Sequence, residues 1–283
     1  MAKLSIITIN YNDSAGLEAT IKSVISQTDF QFIEYIVIDD GSSDGSIDVI
    51  RQYADRLAFW TTRPNKGIYA TMNEGVRNAT GDYCLFLSSG DIFHSNTVIE
   101  EILATLDGTD LIIGRMVFLA DGHLSDVETP ITFKTLYKNT VPHGSTIIRR
   151  ELMIRHPYDE TLRIVSDWKF FVQTIIFDNV SYKKIETIIL DFDCNGISSR
   201  NRDLCQFERE KVYKELFPPR VIQDYFQFVK GGGYQDTIYD KFYVKLRDYK
   251  YAKVIYTLSV LLMRFVAIFK KGARFVKHFP IKY

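Results

Sequence analysis

The chain has 283 residues, of which 46% are hydrophobic and 14% aromatic, so it can bury a substantial core. Its formal net charge is zero, which excludes a uniformly basic or acidic protein. The charge is unevenly spread, because residues 241–283 contain eleven Lys or Arg and one acidic residue, Asp248, a formal charge of +10. This tail predicts an anionic partner. We expect a membrane surface and no nucleic acid, because the rest of the chain is acidic and contains no nucleic-acid-binding motif.

The cysteines and the N-terminus bear on the cellular compartment. Three cysteines without metal-site spacing (Cys84, Cys194 and Cys205) are typical of a reducing environment. The first residues lack the features of a signal peptide, and the apolar run at 254–269 is interrupted by Arg264. We therefore expect a cytoplasmic protein, peripheral on the inner face of the membrane if the tail binds lipid.

The first ninety residues alternate between predicted strands and predicted helices. Short runs rich in β-branched and aromatic residues predict strands at 4–9, 33–38, 57–61 and 83–87. Helical spacing of apolar residues predicts helices at 14–26, 47–54 and 68–78. With right-handed crossovers, this order predicts an α/β fold with an open, mostly parallel sheet.

The pattern loosens after residue 91. Helices are predicted at 97–106, from 151, at 168–177 and at 205–217, and the chain from 234 onward is also predicted to be helical. Strands are predicted at 111–113, 116–119, 143–149 and 185–191, with a hairpin turn at 121–122 and a polar turn at 194–199. We expect residues 1–200 to form one α/β domain and residues 201–283 a helical, basic appendage.

Polar clusters follow three of the predicted strands, at residues 10–12, at Asp39 and Asp40, and at 88–91. In open α/β sheets ligands bind beyond the carboxyl ends of the strands, so these clusters predict a ligand site. The turn Ser88-Ser89-Gly90-Asp91 brings one carboxylate to this edge, where it suits a divalent cation bound to phosphate. The alternative is that Asp91 caps the next helix.

Five segments together resemble the inverting nucleotide-sugar glycosyltransferases of family 2, which have the GT-A fold. They are residues 6–12, 37–44, 65–75, 79–91 and 163–168, and the resemblance covers about residues 3–200 in the correct order. The segment at 88–91 is similar to a bacterial subgroup with Asn/Ser-Ser-Gly-Asp there. The resemblance implies a Rossmann-like sheet flanked by helices, with a nucleotide-binding half (1–92) and an acceptor half (93–200).

The resemblance also implies an activity. The expected reaction is transfer of one sugar, with inversion, from a nucleotide-sugar such as a UDP-sugar. The expected acceptor is a hydroxyl of a glycan or a lipid-linked saccharide in surface polysaccharide synthesis. The Gln-x-x-Arg-Trp motif of processive synthases is absent from the sequence, which favours transfer of a single sugar.

For the donor, the resemblance assigns roles to residues near the strand ends. Thr8 and Tyr11 are expected to line the base pocket, Asp39 to accept from the base imide N–H, and Asp40 to lie near the ribose. Further donor contacts are expected from Lys66, Asn73 and Ser89. The alternatives are a turn with a helix cap for the two aspartates and a solvated turn lysine for Lys66.

For catalysis, the resemblance assigns the general base to Asp167, which would take the proton of the acceptor hydroxyl. The alternative for Asp167 is a helix N-cap. Asp91 is expected to bind Mn²⁺ or Mg²⁺, although Ser88 and Gly90 replace the carboxylates of the usual Asp-x-Asp motif. His143 is expected to contact phosphate, metal or acceptor, and Trp168 to wall the acceptor subsite. Their alternatives are a structural histidine and a core aromatic.

The tail at 252–277 predicts a basic, aromatic amphipathic helix that lies on an anionic membrane. The alternatives are packing on the catalytic domain or a homodimer interface. Two rival functions remain. A nucleotidyltransferase predicts a Gly-rich basic loop after the first strand, and residues 10–13 are not one. A non-catalytic nucleotide-sugar-binding relative is conceivable because the metal motif lacks a carboxylate, but Asp167 argues against it.

Overall fold

The structure, a computed structural model, describes residues 4–64, 66–192, 201–231 and 258, without the side chains of 227–231. The turn predicted at 194–199 lies outside these residues, and so does the amphipathic helix predicted at 252–277 apart from residue 258. The chain divides into two compact units, Met1–Val212 and Tyr213–Tyr283. In the described part of the chain, no helix has both the length and the apolar character needed to span a bilayer.

Within the described residues, eight strands form a single sheet. In chain order they are β1 (Leu4–Asn10), β2 (Ile33–Asp39), β3 (Phe59–Thr62), β4 (Tyr83–Phe86), β5 (Ile92–Phe93), β6 (Leu111–Phe118), β7 (Thr146–Arg149) and β8 (Tyr182–Phe192). Their order across the sheet is β3-β2-β1-β4-β7-β6-β8-β5. The strands β1 to β4 are parallel, β7 is antiparallel to β4 and β6, β8 is parallel to β6, and β5 is antiparallel to β8. The mostly parallel α/β sheet predicted for the first ninety residues is confirmed.

Helices connect these strands. They are α1 (Ser14–Ile25), α2 (Ser46–Gln52), α3 (Ile68–Asn78), α4 (Val98–Thr105), α5 (Phe133–Lys138), α6 (Arg150–Arg155), α7 (Ser166–Phe171), α8 (Arg202–Leu216) and α9 (Pro219–Gly231). A π-helical turn, Val172–Phe177, continues α7. The predicted helix at 168–177 therefore begins two residues earlier and changes its hydrogen-bonding pattern halfway.

The core lies against β1, whose seven residues are all buried. The apolar face of α1, formed by Leu17, Ile21 and Val24, belongs to the same buried cluster as Leu4 and Ile6. On α3, Gly75 permits close packing on β1, because a Cβ atom at this position would overlap Cγ2 of Ile7. Both neighbours of β1 are parallel strands, so its backbone hydrogen bonds are satisfied on both sides.

Several strands differ from their predicted bounds, and two of the differences have a local cause. The runs at 111–113 and 116–119 form one strand, β6, because a shift in the pairing with β8 on either side of Arg115 accommodates the polar interruption. The strand predicted at 143–149 begins only at Thr146, because His143–Ser145 form a 3₁₀ turn after Pro142. The predicted turn at 121–122 is present, with the N–H of Gly122 bonded to the carbonyl oxygen of Phe118 at 2.7 Å.

Candidate functional site

The order of the strands creates a crevice at the carboxyl ends of β1, β2 and β4. From β1 the chain proceeds outward through β2 and β3 on one side, whereas β4 lies on the other side. Backbone hydrogen bonds tie the three strand ends together, from Asp40 N–H to the Asn10 carbonyl oxygen (2.9 Å) and from Ser89 N–H to the Ile9 carbonyl oxygen (3.0 Å). Ligands of doubly wound sheets bind at such a reversal of strand order, so this edge is the candidate site.

Asp39, the last residue of β2, is fully buried and accepts five hydrogen bonds from the protein. The donors are Asn10 Nδ2 (2.8 Å), Gly41 N (3.1 Å), Ser42 N (3.0 Å), Ser42 Oγ (2.5 Å) and Thr62 Oγ1 (2.8 Å). Burial raises the pKa of Asp39, but the hydrogen bonds, above all those from Ser42, outweigh burial and lower this pKa. A hydrogen bond from a nucleotide base would therefore add to five that the carboxylate already accepts.

Asp40 holds the turn that precedes α3. It is 4% exposed, and its two carboxylate oxygens accept one backbone N–H each, from Lys66 (2.9 Å) and from Gly67 (2.9 Å). The side chain of Lys66 is exposed at this turn. The contacts fix the first residues of α3 beside the carboxyl end of β2 and leave the lysine side chain at the surface.

Tyr11 projects from a loop that is fastened to the turn after β2. Asn12 adopts a positive φ of 50°, and its side-chain oxygen accepts from Ser43 N–H (2.8 Å). Ser14 N–H in turn donates to Asp44 Oδ2 (2.8 Å). Tyr11 itself is 52% exposed, so an aromatic face is available at the edge where the sequence predicted a wall of the base pocket.

Asp91 lies in the turn after β4, where the sequence predicted a metal ligand. It is 6% exposed, and its carbonyl oxygen accepts from Thr20 Oγ1 (2.8 Å), which also accepts from Gly90 N–H (3.1 Å). Ser89 is half-buried in the same turn. Among the residues that the structure describes, no group of three or more His, Cys, Asp or Glu is placed to hold a metal ion. The donor set therefore fits a cation only if a substrate supplies further oxygens.

Asp167, the predicted base, stands in the first turn of α7 and is half-buried. Its Oδ1 accepts a hydrogen bond of 2.8 Å from the phenol of Tyr69, in the first turn of α3. The same helix begins at the turn that Asp40 holds. Two hydrogen-bonded contacts thus connect the predicted nucleotide side of the crevice with the predicted base.

His143 lies between β4 and Tyr158. Its Nε2 is 2.7 Å from the Tyr158 hydroxyl, and its ring stacks on Phe86 with 5.1 Å between ring centroids. Burial lowers the pKa of His143, and the opposing charge of Asp167 does not reverse this direction. The histidine is therefore neutral at pH 7, and its contacts with protein side chains are those of a structural histidine.

The structure places three of the predicted substrate contacts in the protein interior. Thr8 is fully buried, with its hydroxyl 3.1 Å from the Tyr35 hydroxyl. Asn73 is 6% exposed and bonds the backbone of Tyr158 twice, at 2.9 Å each. Trp168 is 2% exposed, and its indole N–H donates to the Leu136 carbonyl oxygen (2.7 Å). The polar groups of the three side chains are therefore bonded to the protein itself, and their contact with a substrate stays a prediction.

Sequence reasoning missed several residues that support the site. Asn10 and Ser42 bond Asp39, and Tyr69 bonds Asp167, although all three lie within the segments that carried the resemblance. Glu208 of α8 lies outside those segments. It is 5% exposed and accepts the N–H groups of residues 163, 164 and 165 at 2.8, 2.9 and 3.3 Å, just before α7. In the sequence Glu208 is one of several acidic residues on a polar helix, and no local signal distinguishes it from the others.

The chain is similar in sequence to known proteins. The family model described as Glycosyl transferase family 2 matches residues 5–162. An uncharacterized glycosyltransferase of Mycobacterium tuberculosis is 31% identical over 212 residues, which are 72% of this chain and 80% of that protein. The family match covers the ends of β1, β2 and β4, and the relative extends the similarity over most of the chain.

Two solved structures are similar to the protein. Residues 1–349 of S. aureus TarS in complex with UDP match with a TM-score of 0.59 and 16% identity, over 80% of this chain and 78% of that one. Against a longer TarS chain, the match spans 36% of that chain. Glucosyl-3-phosphoglycerate synthase from Mycobacterium tuberculosis, in complex with Mn²⁺, UDP-glucose and phosphoglyceric acid, matches with a TM-score of 0.52 and 16% identity, over 74% and 79% of the two chains. At these identities the similarity shows the fold, which is GT-A.

Proposed function

The chain belongs to glycosyl transferase family 2, and from this premise we propose that it transfers one sugar from a nucleotide-sugar to an acceptor hydroxyl, with inversion. The proposed donor is a UDP-sugar. The UDP and UDP-glucose bound to the two structural neighbours support this choice. The proposed acceptor is a glycan or a lipid-linked saccharide of a surface polysaccharide, reached at the inner face of the membrane.

One observation carries this proposal, namely the hydrogen-bonded connection between the strand ends and Asp167. Asp40 fixes the start of α3, and Tyr69 in the first turn of α3 bonds the carboxylate of Asp167. A donor bound at the ends of β1 and β2 would therefore have a half-buried carboxylate beside it. A base within reach of the reacting hydroxyl is the minimum that an inverting transfer needs.

In the proposed reaction, the acceptor oxygen attacks the anomeric carbon from the face opposite the diphosphate. The bond from this carbon to the diphosphate oxygen breaks, and the diphosphate leaves with the electron pair. Asp167 takes the proton of the hydroxyl, so its carboxylate becomes a carboxylic acid while the new glycosidic bond forms. A single in-line displacement inverts the configuration at the anomeric carbon.

The other site residues are proposed to bind the donor. Tyr11 offers its exposed ring to the base, and Lys66 extends from the turn that Asp40 holds towards the ribose or the diphosphate. Ser89 borders the diphosphate side of the crevice. Mg²⁺ or Mn²⁺, held by Asp91 together with phosphate oxygens, would supply positive charge that stabilises the departing diphosphate.

Asp167→Asn tests the proposed function. We expect turnover of a UDP-sugar to fall by about 100-fold or more, because the amide cannot take the proton. Donor binding should be retained, and a thermal shift assay measures it. UDP at ~100 times its dissociation constant, with Mn²⁺, should still stabilise the variant by ~2.7 kcal/mol. The measurements are UDP release from UDP-glucose, UDP-galactose and UDP-N-acetylglucosamine with alkyl glycosides as acceptors.

Asp82→Asn is the matched control, because this exposed aspartate precedes β4 at the opposite edge of the sheet and should leave turnover unchanged. Full turnover in Asp167→Asn would refute the assignment of the base. A wild-type protein that binds UDP and shows no turnover with any donor would instead favour the non-catalytic relative.

A further inference from the structure

The phenol of Tyr69 is the group that engages the carboxylate of Asp167 from α3. Tyr69 is 4% exposed, and its hydroxyl lies 2.8 Å from Asp167 Oδ1. We propose that Tyr69 is a positioning residue for the reaction, which occupies Oδ1 of Asp167 and so directs Oδ2 to the acceptor hydroxyl. The inference rests on the proposed function, in which Asp167 is the base.

The phenol acts as a donor in this contact. Burial, and after it the negative charge of Asp167, raise the pKa of Tyr69 well above its ordinary value. The hydroxyl therefore keeps its proton across the working pH range, and an ionised carboxylate can only accept from it. The hydrogen bond is charge-assisted, and such a bond is stronger than one between neutral groups.

The phenol is held in place by contacts at the start and in the middle of α3. Asp40 binds the backbone of the turn before the helix through two hydrogen bonds of 2.9 Å. Further along the helix, Asn73 bonds both the N–H and the carbonyl oxygen of Tyr158 at 2.9 Å. The ring of Tyr69 packs against that of Tyr158, with 5.6 Å between centroids. A phenol hydroxyl fixed in this way restricts the carboxylate of Asp167 to one orientation before the acceptor sugar binds. Less conformational entropy is then lost on reaching the transition state.

Three titratable side chains surround Asp167 from the elements packed against it. Tyr69 comes from α3, His143 from the turn before β7, and Tyr158 from the segment before α7. Burial holds His143 neutral, and burial also raises the pKa of Tyr158, so neither side chain adds a charge at neutral pH. The hydrogen bond from Tyr69 is therefore a source of stabilisation that is specific to the ionised carboxylate.

Tyr69→Phe tests the inference. The variant keeps the aromatic ring and removes the hydroxyl that donates the hydrogen bond to Asp167. We therefore expect kcat to fall by about ten- to a hundred-fold while the KM for the UDP-sugar stays the same. The assay is UDP release from the UDP-sugar that the wild-type protein turns over fastest.

Two comparisons separate a positioning role from a structural one. Tyr83→Phe is the matched control, because it also removes the hydroxyl of a buried phenol. Tyr83 is the first residue of β4, and its hydroxyl donates to the Thr109 carbonyl oxygen (3.0 Å) and accepts from Gly108 N–H (3.0 Å). This control should lose stability and keep the wild-type kcat. Difluorotyrosine at position 69 keeps the side-chain shape and the hydroxyl that bonds Asp167, so its kcat should stay close to that of the wild-type protein even if Tyr69→Phe folds poorly.

The outcomes for this inference differ from those for the proposed function. If Asp167→Asn keeps full turnover, the proposed base fails and the inference fails with it. If Asp167→Asn is inactive while Tyr69→Phe has the wild-type kcat, or the difluorotyrosine protein is as slow as a protein without the hydroxyl, only the inference is overturned. A double variant, Tyr69→Phe with Asp167→Asn, should be no slower than Asp167→Asn alone, because the two residues act on one proton transfer.

Discussion

At the scale of single residues, Asp39 organises the turn after β2. Its carboxylate joins a backbone turn (Gly41 and Ser42), a side chain at the end of β1 (Asn10) and one at the end of β3 (Thr62). A buried carboxylate is costly to desolvate, but hydrogen bonds to its charged form offset that cost and lower its pKa. The candidate site therefore depends on Asp39 for its shape whether or not this residue touches a ligand.

Asp39→Asn should lower the free energy of unfolding by about 1–3 kcal/mol at pH 7, because the amide leaves buried donors without an acceptor. The folded-state pKa of Asp39 is lowered, so its stabilisation is present above the unfolded-state pKa of about 3.9 and is lost as the pH falls through the folded-state pKa. The difference between variant and wild type should therefore narrow below pH ~4. Urea unfolding at a series of pH values measures both effects.

The control for this prediction is Asp48→Asn, because Asp48 is 82% exposed and forms an ion pair with Arg51 one turn along the same helix. It should change stability by about 0.5 kcal/mol or less. An Asp39→Asn protein as stable as wild type at pH 7 would mean that the turn does not need the charge.

The positions of Asp39, Asp40 and Asp91 at or after the ends of β2 and β4 were predictable from the sequence, whereas the direction of each side chain was not. Both faces of β1 are buried, so the strand shows no alternation of polar and apolar residues that would tell which face Thr8 occupies. Trp168 follows Asp167 directly, but its indole finds a partner on α5, thirty-two residues earlier. Contacts of this range leave no local pattern in the sequence.

At the scale of secondary structure elements, α8 supports the start of α7. Three consecutive backbone N–H groups, at residues 163–165, point to the carboxylate of Glu208. The next residue of α8, Arg209, lies over the ring of Trp168 at 4.8 Å from its centroid. The two side chains thus hold the segment on either side of Asp167 along the chain.

Glu208→Gln should lower the free energy of unfolding by about 1–3 kcal/mol, because an amide oxygen replaces a charged acceptor of three backbone N–H groups. The kcat for sugar transfer should fall with it, while the KM for the UDP-sugar should not change, because Glu208 holds the segment that carries the base. Chemical unfolding and UDP release measure the two effects. Glu210→Gln, an exposed position on the same helix, should change neither quantity. Equal behaviour of the two variants would show that α8 does not support the base.

The elements of the first ninety residues were predictable because strand and helix alternate there and each strand pairs with a parallel neighbour. The bounds of β1, α3 and β4 differ from the predicted ones by at most one residue. Beyond residue 91 the sheet depends on pairings between distant segments, such as β4 with β7 and β6 with β8. The role of α8 was not predictable, because the resemblance ends near residue 200 and Glu208 follows it.

At the scale of the whole molecule, the charge of the chain is divided between an acidic body and a basic tail. Residues 241–283 carry a formal +10, and this segment lies outside the described residues apart from residue 258. A cluster of Lys and Arg gains about 1 kcal/mol per residue near an anionic lipid surface. The proposal of a lipid-linked acceptor and the charge of the tail therefore lead to the same expectation, which is binding to anionic membranes.

Full-length protein should float with liposomes that contain phosphatidylglycerol and remain at the bottom with liposomes of phosphatidylcholine alone. Replacing Lys270, Lys271, Arg274 and Lys277 by Gln should reduce flotation by about ten-fold or more, because it removes four favourable charges at the lipid surface. Raising the salt concentration to 1 M should have a similar effect on the wild-type protein.

The matched control replaces four basic residues of the body, Lys22, Arg51, Arg77 and Arg155, which lie on exposed faces of helices. This variant loses the same number of positive charges as the tail variant but keeps the tail unchanged. It should therefore float like wild type if the tail itself binds the membrane. Equal loss in both variants would show that only the net charge matters. Flotation unaffected by either change would favour the alternative, in which the tail packs on the catalytic domain or forms a dimer interface. In that case the lysines and arginines of the tail would contact acidic residues of the protein.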